Sequence, residues 1–164
     1  MPLFETSLLV ATLLCSLVAG FLLAFAVVVM PGIGTLGDAG FLRAFQVMDR
    51  VIQNNQPVFM MVWVGSVLAL LAAAVLGFAQ TGPLDRALLV GAACLYLGGV
   101  QLPTALINLP LNNTLKRLSI SELQPAEAEA ARQAFEARWN RSNVTRTVLA
   151  TLTCLLLMTL LLRL

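Results

Sequence analysis

The sequence predicts an all-α integral membrane protein: a four-helix bundle of two hairpins, with long polar loops on one side and a fourth helix that extends beyond the membrane. Three observations carry this. Of the 164 residues, 59% are hydrophobic and 11% charged; a soluble domain carries about 25% charged residues, so there is too little charge here to cover a surface in water. The apolar residues come in runs as long as a bilayer is thick. Neither proline nor glycine occurs from Ala126 to Leu164, so nothing in that backbone interrupts a helix. The length suits one transmembrane domain over 1–164, and no linker divides it.

Residues 7–30 form a run without charge, long enough for ~30 Å of hydrocarbon at about 1.5 Å per residue. The run lacks the basic start and small-residue cleavage site of a secretory signal and reads as a retained first span. Met30-Pro31-Gly32 is expected to end it, and Gly34, Gly37 and Gly40 to break the backbone further. Residues 41–54 then make a short amphipathic helix with Leu42, Phe45, Met48 or Asp49, and Ile52 on one stripe. It is too short and too charged to span, so it should lie at the interface or fold back over the helix ends.

The second span covers 57–78. Gly65, Ala69, Ala73 and Gly77 recur on it every fourth residue, a smooth seam that lets another helix approach closely. Packing within the chain is its expected use, and a homo-oligomer contact the alternative. The third span covers 87–109, kinked by Pro103 and ended by Asn108-Leu109-Pro110-Leu111-Asn112. Pro125 opens a helix outside the membrane over 125–143, with Glu127 and Glu129 at its positive end. The fourth span follows over 144–162. Unbroken, residues 126–162 would measure ~55 Å at about 1.5 Å per residue; a bend near Ser142 is the alternative.

Charge sets the expected orientation. Eight of the ten Lys and Arg residues fall in or beside the two long loops, and only Arg86 and Arg163 on the other side. By the positive-inside rule the protein is multi-pass in the cell membrane, with its long loops cytoplasmic and both termini outside. A net charge of +2 with no dense basic cluster argues against nucleic acid as a partner, and the apolar spans point to membrane lipids. Cys15, Cys94 and Cys154 each sit inside an apolar run and read as small hydrophobes. Histidine is absent, which removes the commonest metal ligand and general base; no metal site is expected.

Polar residues from three segments fall at one depth: Asp49 and Asn54 in the first loop, the edge Gln101, Thr104, Asn108 and Asn112 on the third span, and the face Trp139, Asn143, Arg146 on the fourth. Together they suggest a pocket between helix ends, apolar below and polar above. Each also has a simpler reading. Arg146 can snorkel to headgroups and Trp139 belong to an aromatic belt. Asn108 and Asn112 can cap a helix end, Gln101 can bond a neighbouring helix, and Asp49 can be a solvated surface residue.

Met30-Pro31-Gly32, Asn-x-Pro-x-Asn at 108–112 and Trp-x3-Asn-x2-Arg at 139–146, in that order, resemble one family of small four-helix membrane proteins. It is catalogued as a domain of unknown function and includes the anthrone oxygenases. Characterised members oxidise anthrones to anthraquinones with molecular oxygen and without metal or flavin, so the resemblance implies no cofactor and a polycyclic aromatic or quinone-like substrate. Such chemistry needs a base at the central carbon, a donor at the enolate oxygen and a dry pocket for flat rings. On that reading Arg146 and Asn143 stabilise the enolate and Trp139 stacks on the substrate. Asp49 is the one charged candidate base, and Asn108, Asn112, Asn54 and Gln101 line the site. A non-catalytic scaffold, or a lipid or quinone binder using the long helix as a docking arm, fits the same sequence.

Overall fold

The computed structural model describes residues 3–164. Among them there are five helices and no strand: α1 (Leu3–Gly34), α2 (Asp38–Gln53), α3 (Pro57–Phe78), α4 (Pro83–Lys116) and α5 (Pro125–Arg163). All but α2 are long and apolar enough to cross a membrane. The protein is an all-α membrane bundle.

Two spans run further than their prolines suggested. The first helix does not end at Met30-Pro31-Gly32 but continues to Gly34, and the third does not end at Asn108–Asn112 but continues to Lys116. The reason is local and repeated. A wide π-helical turn precedes each interior proline: Phe25–Val29 before Pro31, Leu97–Gln101 before Pro103, and Thr104–Asn108 before Pro110. The residue just ahead of each proline closes that turn with a five-residue hydrogen bond: Met30 N–H to Phe25 O, Leu102 N–H to Leu97 O, and Leu109 N–H to Thr104 O. Proline has no N–H to donate, and its ring would strike the carbonyl four residues back. The extra residue in a π turn moves that carbonyl aside, so the helix carries on.

α5 is a single helix with no break at Ser142. It starts on a capping box, in which Gln124 and Glu127 satisfy each other's free N–H groups, with Pro125 in the first turn. Its first half does not project freely. Phe135 and Trp139 are buried in a cluster with Met30, Phe41, Phe45 and Leu115, so α2 lies folded back across the end of the bundle, between α5 and the far end of α4. Gly40 sits inside α2, which begins at Asp38. Arg132 locks the arrangement: its guanidinium donates to the Gly34 carbonyl (2.9 Å), the Leu36 carbonyl (2.9 Å) and Glu136 (2.7 Å), and lies 4.5 Å over the Phe41 ring. Arg132 and Glu136 are thus half-buried and engaged within the fold. Gln46 ties α2 to the end of α4 and the turn after it by donating to the carbonyls of Leu115 (2.7 Å) and Leu118 (3.0 Å).

A second, larger core lies within the spans, where Leu8, Cys15 and Leu22 of α1 meet Leu70 of α3, Tyr96 of α4 and Leu157 of α5. The small-residue seam of α3 packs here from within the chain. A methyl group at Gly65 would sit 3.1 Å from Leu14, and one at Gly77 would collide with Phe4 and Leu89. On α4, Gly99 gives way to Leu149 of α5, whose Cδ1 would be 2.5 Å from an added methyl. That leans the second half of α4 onto α5.

Candidate functional site

Where the core of the spans meets the cover formed by α2, the bundle encloses a cavity of about 270 Å³. Its walls come from all five helices: Phe21 and Phe25 of α1, Phe45 and Asp49 of α2, Phe59 and Trp63 of α3, Thr104, Asn108 and Asn112 of α4, and Trp139, Asn143 and Arg146 of α5. The lower wall is aromatic. Phe59 stacks on Trp63 at 5.4 Å, Phe21 meets Phe59 edge-on at 5.2 Å, and Phe45 meets Trp139 edge-on at 5.2 Å. Two of the π turns contribute directly, since Phe25, Thr104 and Asn108 lie in them.

The polar residues fall into separate hydrogen-bonded groups. Asn112 is the hub of one: its amide nitrogen donates to Asp49 Oδ1 (2.8 Å) and its oxygen accepts from Trp139 Nε1 (2.8 Å). Gln53 donates to the other carboxylate oxygen of Asp49. Asp49 is 6% exposed, which corrects the reading of it as a solvated surface residue. On α2 the stripe Phe41, Phe45, Asp49 turns inward while Arg43 and Arg50 turn out. Burial pushes the Asp49 carboxyl above its usual range, and the bonds from Gln53 and Asn112 with the nearby Lys116 charge hold part of it back.

Arg146 is 3% exposed, so it does not snorkel. It donates to Thr104 Oγ1 (2.9 Å) and to Asn143 Oδ1 (3.0 Å), and lies 5.8 Å from the centre of the Trp139 ring. Asn143 is itself fixed by donating to the Leu22 carbonyl (3.1 Å). No carboxylate pairs with Arg146 among the described residues, and its Nε has no partner. The amide nitrogen of Asn108 is likewise unpartnered, while Ser142 donates to the Asn108 oxygen (2.6 Å). A buried cation with a spare donor is costly unless something electron-rich completes it. The cavity thus combines an aromatic wall with a buried guanidinium at its edge.

The structure brings together Asp49, Asn108, Asn112, Trp139, Asn143 and Arg146. Two expected residues stay out. Asn54 is exposed and ends α2, its N–H bonded to the Arg50 carbonyl, and the cavity is lined instead by Asn55, which takes a left-handed φ of 57° at the turn. Gln101 lies three residues before the lining residue Thr104, just under one turn away, and outside the cavity wall. The aromatic floor went unread, although Phe21 with Phe25 and Phe59 with Trp63 form i, i+4 pairs that place two rings on one helix face.

No curated protein and no solved structure matches the chain. The model of the anthrone oxygenase family matches residues 48–156, about two thirds of the sequence. Every polar residue that lines the cavity, from Asp49 to Arg146, falls inside that match, together with the two wide turns of α4 and most of α5. The chain belongs to the anthrone oxygenase family.

Proposed function

We propose that this membrane protein oxidises a flat polycyclic aromatic ketone of the anthrone class with molecular oxygen, and that the cavity between Asp49 and Arg146 is where it does so. The single observation that carries the reading is that pair: a buried carboxylate and a buried, carboxylate-free guanidinium facing one aromatic-walled space.

On this reading the rings lie among Phe21, Phe59, Trp63 and Trp139, which exclude water. Asp49 takes a proton from the central CH2, and the electron pair stays on the ring system as an enolate. Arg146, braced by Thr104 and Asn143, donates to the enolate oxygen, where the charge develops. The electron-rich enolate passes one electron to O2, and the resulting pair joins to form a carbon–oxygen bond. Loss of the second hydrogen with cleavage of the O–O bond releases water and leaves a carbonyl. Anthrone and O2 become anthraquinone and water, with Asp49 carrying the proton. Asn108 and Asn112 orient the ligand and the base.

The asymmetry of Lys and Arg supports a placement in the cell membrane with α2 and the first half of α5 on the cytoplasmic side and both termini outside. The test of function is direct. Purified protein in detergent should consume oxygen when anthrone is added and produce anthraquinone, and the Arg146→Ala and Asp49→Asn proteins should not. Wild-type protein that binds anthrone without oxygen uptake would reduce the reading to a binding site.

A further inference from the structure

Asp49 stands between two spaces. On one side is the aromatic cavity. On the other is a cleft of about 20 Å³ walled by Gln46, Arg50, Leu115 and Lys116, with Phe45, Asp49 and Asn112 shared between the two. A space of ~10–15 Å³ on this measure holds one water, provided two to four polar groups receive it. The cleft supplies the Asp49 carboxylate, the Asn112 amide and the charges of Arg50 and Lys116. Gln46, anchored to the Leu115 and Leu118 carbonyls, fixes its wall. Arg50 and Lys116 are exposed, so the cleft opens on the polar side of the bundle.

A carboxylate that removes a carbon-bound proton must give it up before it can act again, and the cleft gives Asp49 a polar route to solvent on the side away from the aromatic rings. We propose that the cleft is the proton port of this site: Asp49 takes a proton from the ligand on its cavity side and releases it through one cleft water, past Lys116, to bulk solvent. This rests on the reading of Asp49 as the base. The ligand C–H bond breaks, its electron pair stays on the ligand as the enolate, and the proton passes from carboxyl to water to solvent, regenerating the carboxylate. The charged groups around Asp49 are Arg50 on its own helix, Lys116 on α4 and Arg146 on α5. All three are cations, which favours the ionised carboxylate between turnovers.

The experiment separates proton removal from oxidation. Full-length protein in detergent is incubated with anthrone in anaerobic D2O, and deuterium at the central carbon is followed above the background set by Asp49→Asn. Ligand occupancy is read from Trp63 and Trp139, which are the chain's two tryptophans and both line the cavity. Wild-type protein should exchange. Lys116→Phe, which covers the cleft from an exposed position, should bind anthrone as wild type does but lose exchange and oxygen uptake by roughly tenfold or more. Lys116→Gln, which leaves the cleft open, should still exchange, with the acid limb of its pH profile moved upward because a cation that lowers the carboxyl is gone. Wild-type exchange in Lys116→Phe would overturn the port and leave the base in place. No exchange in wild type would overturn both.

Discussion

Trp139 on α5 donates its indole N–H to the side-chain oxygen of Asn112 on α4 at 2.8 Å. The bond joins an aromatic wall of the cavity to the residue that also holds the Asp49 carboxylate, so one amide sets both the ring and the base. Asn112→Leu is therefore expected to do two things. It leaves a buried indole N–H unsatisfied, at a cost of about 1–3 kcal/mol, seen as a lower melting temperature. It also removes a bond that favours ionised Asp49, so the carboxyl rises further and the acid limb of the activity profile moves to higher pH. A profile unchanged in Asn112→Leu would uncouple Asn112 from Asp49.

Arg146 has two neutral acceptors, Thr104 and Asn143, and no carboxylate. Removing an unpaired buried charge relieves desolvation, so Arg146→Met should melt no lower than wild type. Turnover should nevertheless fall roughly a hundred- to a thousandfold, as for loss of one donor to a developing oxyanion. Arg146→Lys should not rescue it, because a single ammonium cannot reach both Thr104 and Asn143 with the fixed geometry of the guanidinium. Circular-dichroism melts alongside oxygen uptake decide between this role and a structural one.

The four spans and the inward face of Trp139, Asn143 and Arg146 were legible because composition and i, i+4, i+7 spacing survive folding unchanged. Helix ends were not. A proline in sequence signals a lost hydrogen bond, but Pro31, Pro103 and Pro110 each sit behind a π turn that absorbs the loss, and no residue pattern announces that turn. Asp49 was ambiguous for a different reason. Its neighbour Met48 fits the apolar stripe equally well by period, and only the tertiary placement of α2 against Asn112 selects the carboxylate as the buried member. Asn54 and Asn55 are adjacent and alike, and the left-handed φ at Asn55 decides which one reaches the cavity.

The α3 seam makes a prediction about assembly. Gly77 leaves no room for a side chain against Phe4 and Leu89, both of which belong to the same chain. Gly77→Val should lower the melting temperature, with a loss of about 1–3 kcal/mol from overpacking. It should leave the elution volume in mild detergent unchanged, because the contact disturbed is internal. Gly20→Ala, where an added methyl meets nothing within 4 Å, serves as the silent control. A shift from dimer to monomer in Gly77→Val, without loss of stability, would restore the seam as a contact between copies.

Asp49 sets stability against function. Burial raises its carboxyl above the unfolded value, which is about 3.9, so the folded chain holds that proton more tightly than the unfolded one. The stabilisation this confers is full below the unfolded value and is lost as pH rises through the higher folded value. At neutral pH the ionised side chain is therefore a burden that the fold carries for its chemistry. Asp49→Asn removes the burden with little change of shape, and Gln53 can turn its amide to accept from the new NH2. The melting temperature of Asp49→Asn should exceed that of wild type at pH 7, and the difference should shrink as pH is lowered. Oxygen uptake with anthrone should drop roughly a hundred- to ten-thousandfold. Melting curves across the pH range with paired activity assays test both halves, and an Asp49→Asn protein less stable at pH 7 than at pH 4, relative to wild type, would show that the carboxylate is there to hold the fold.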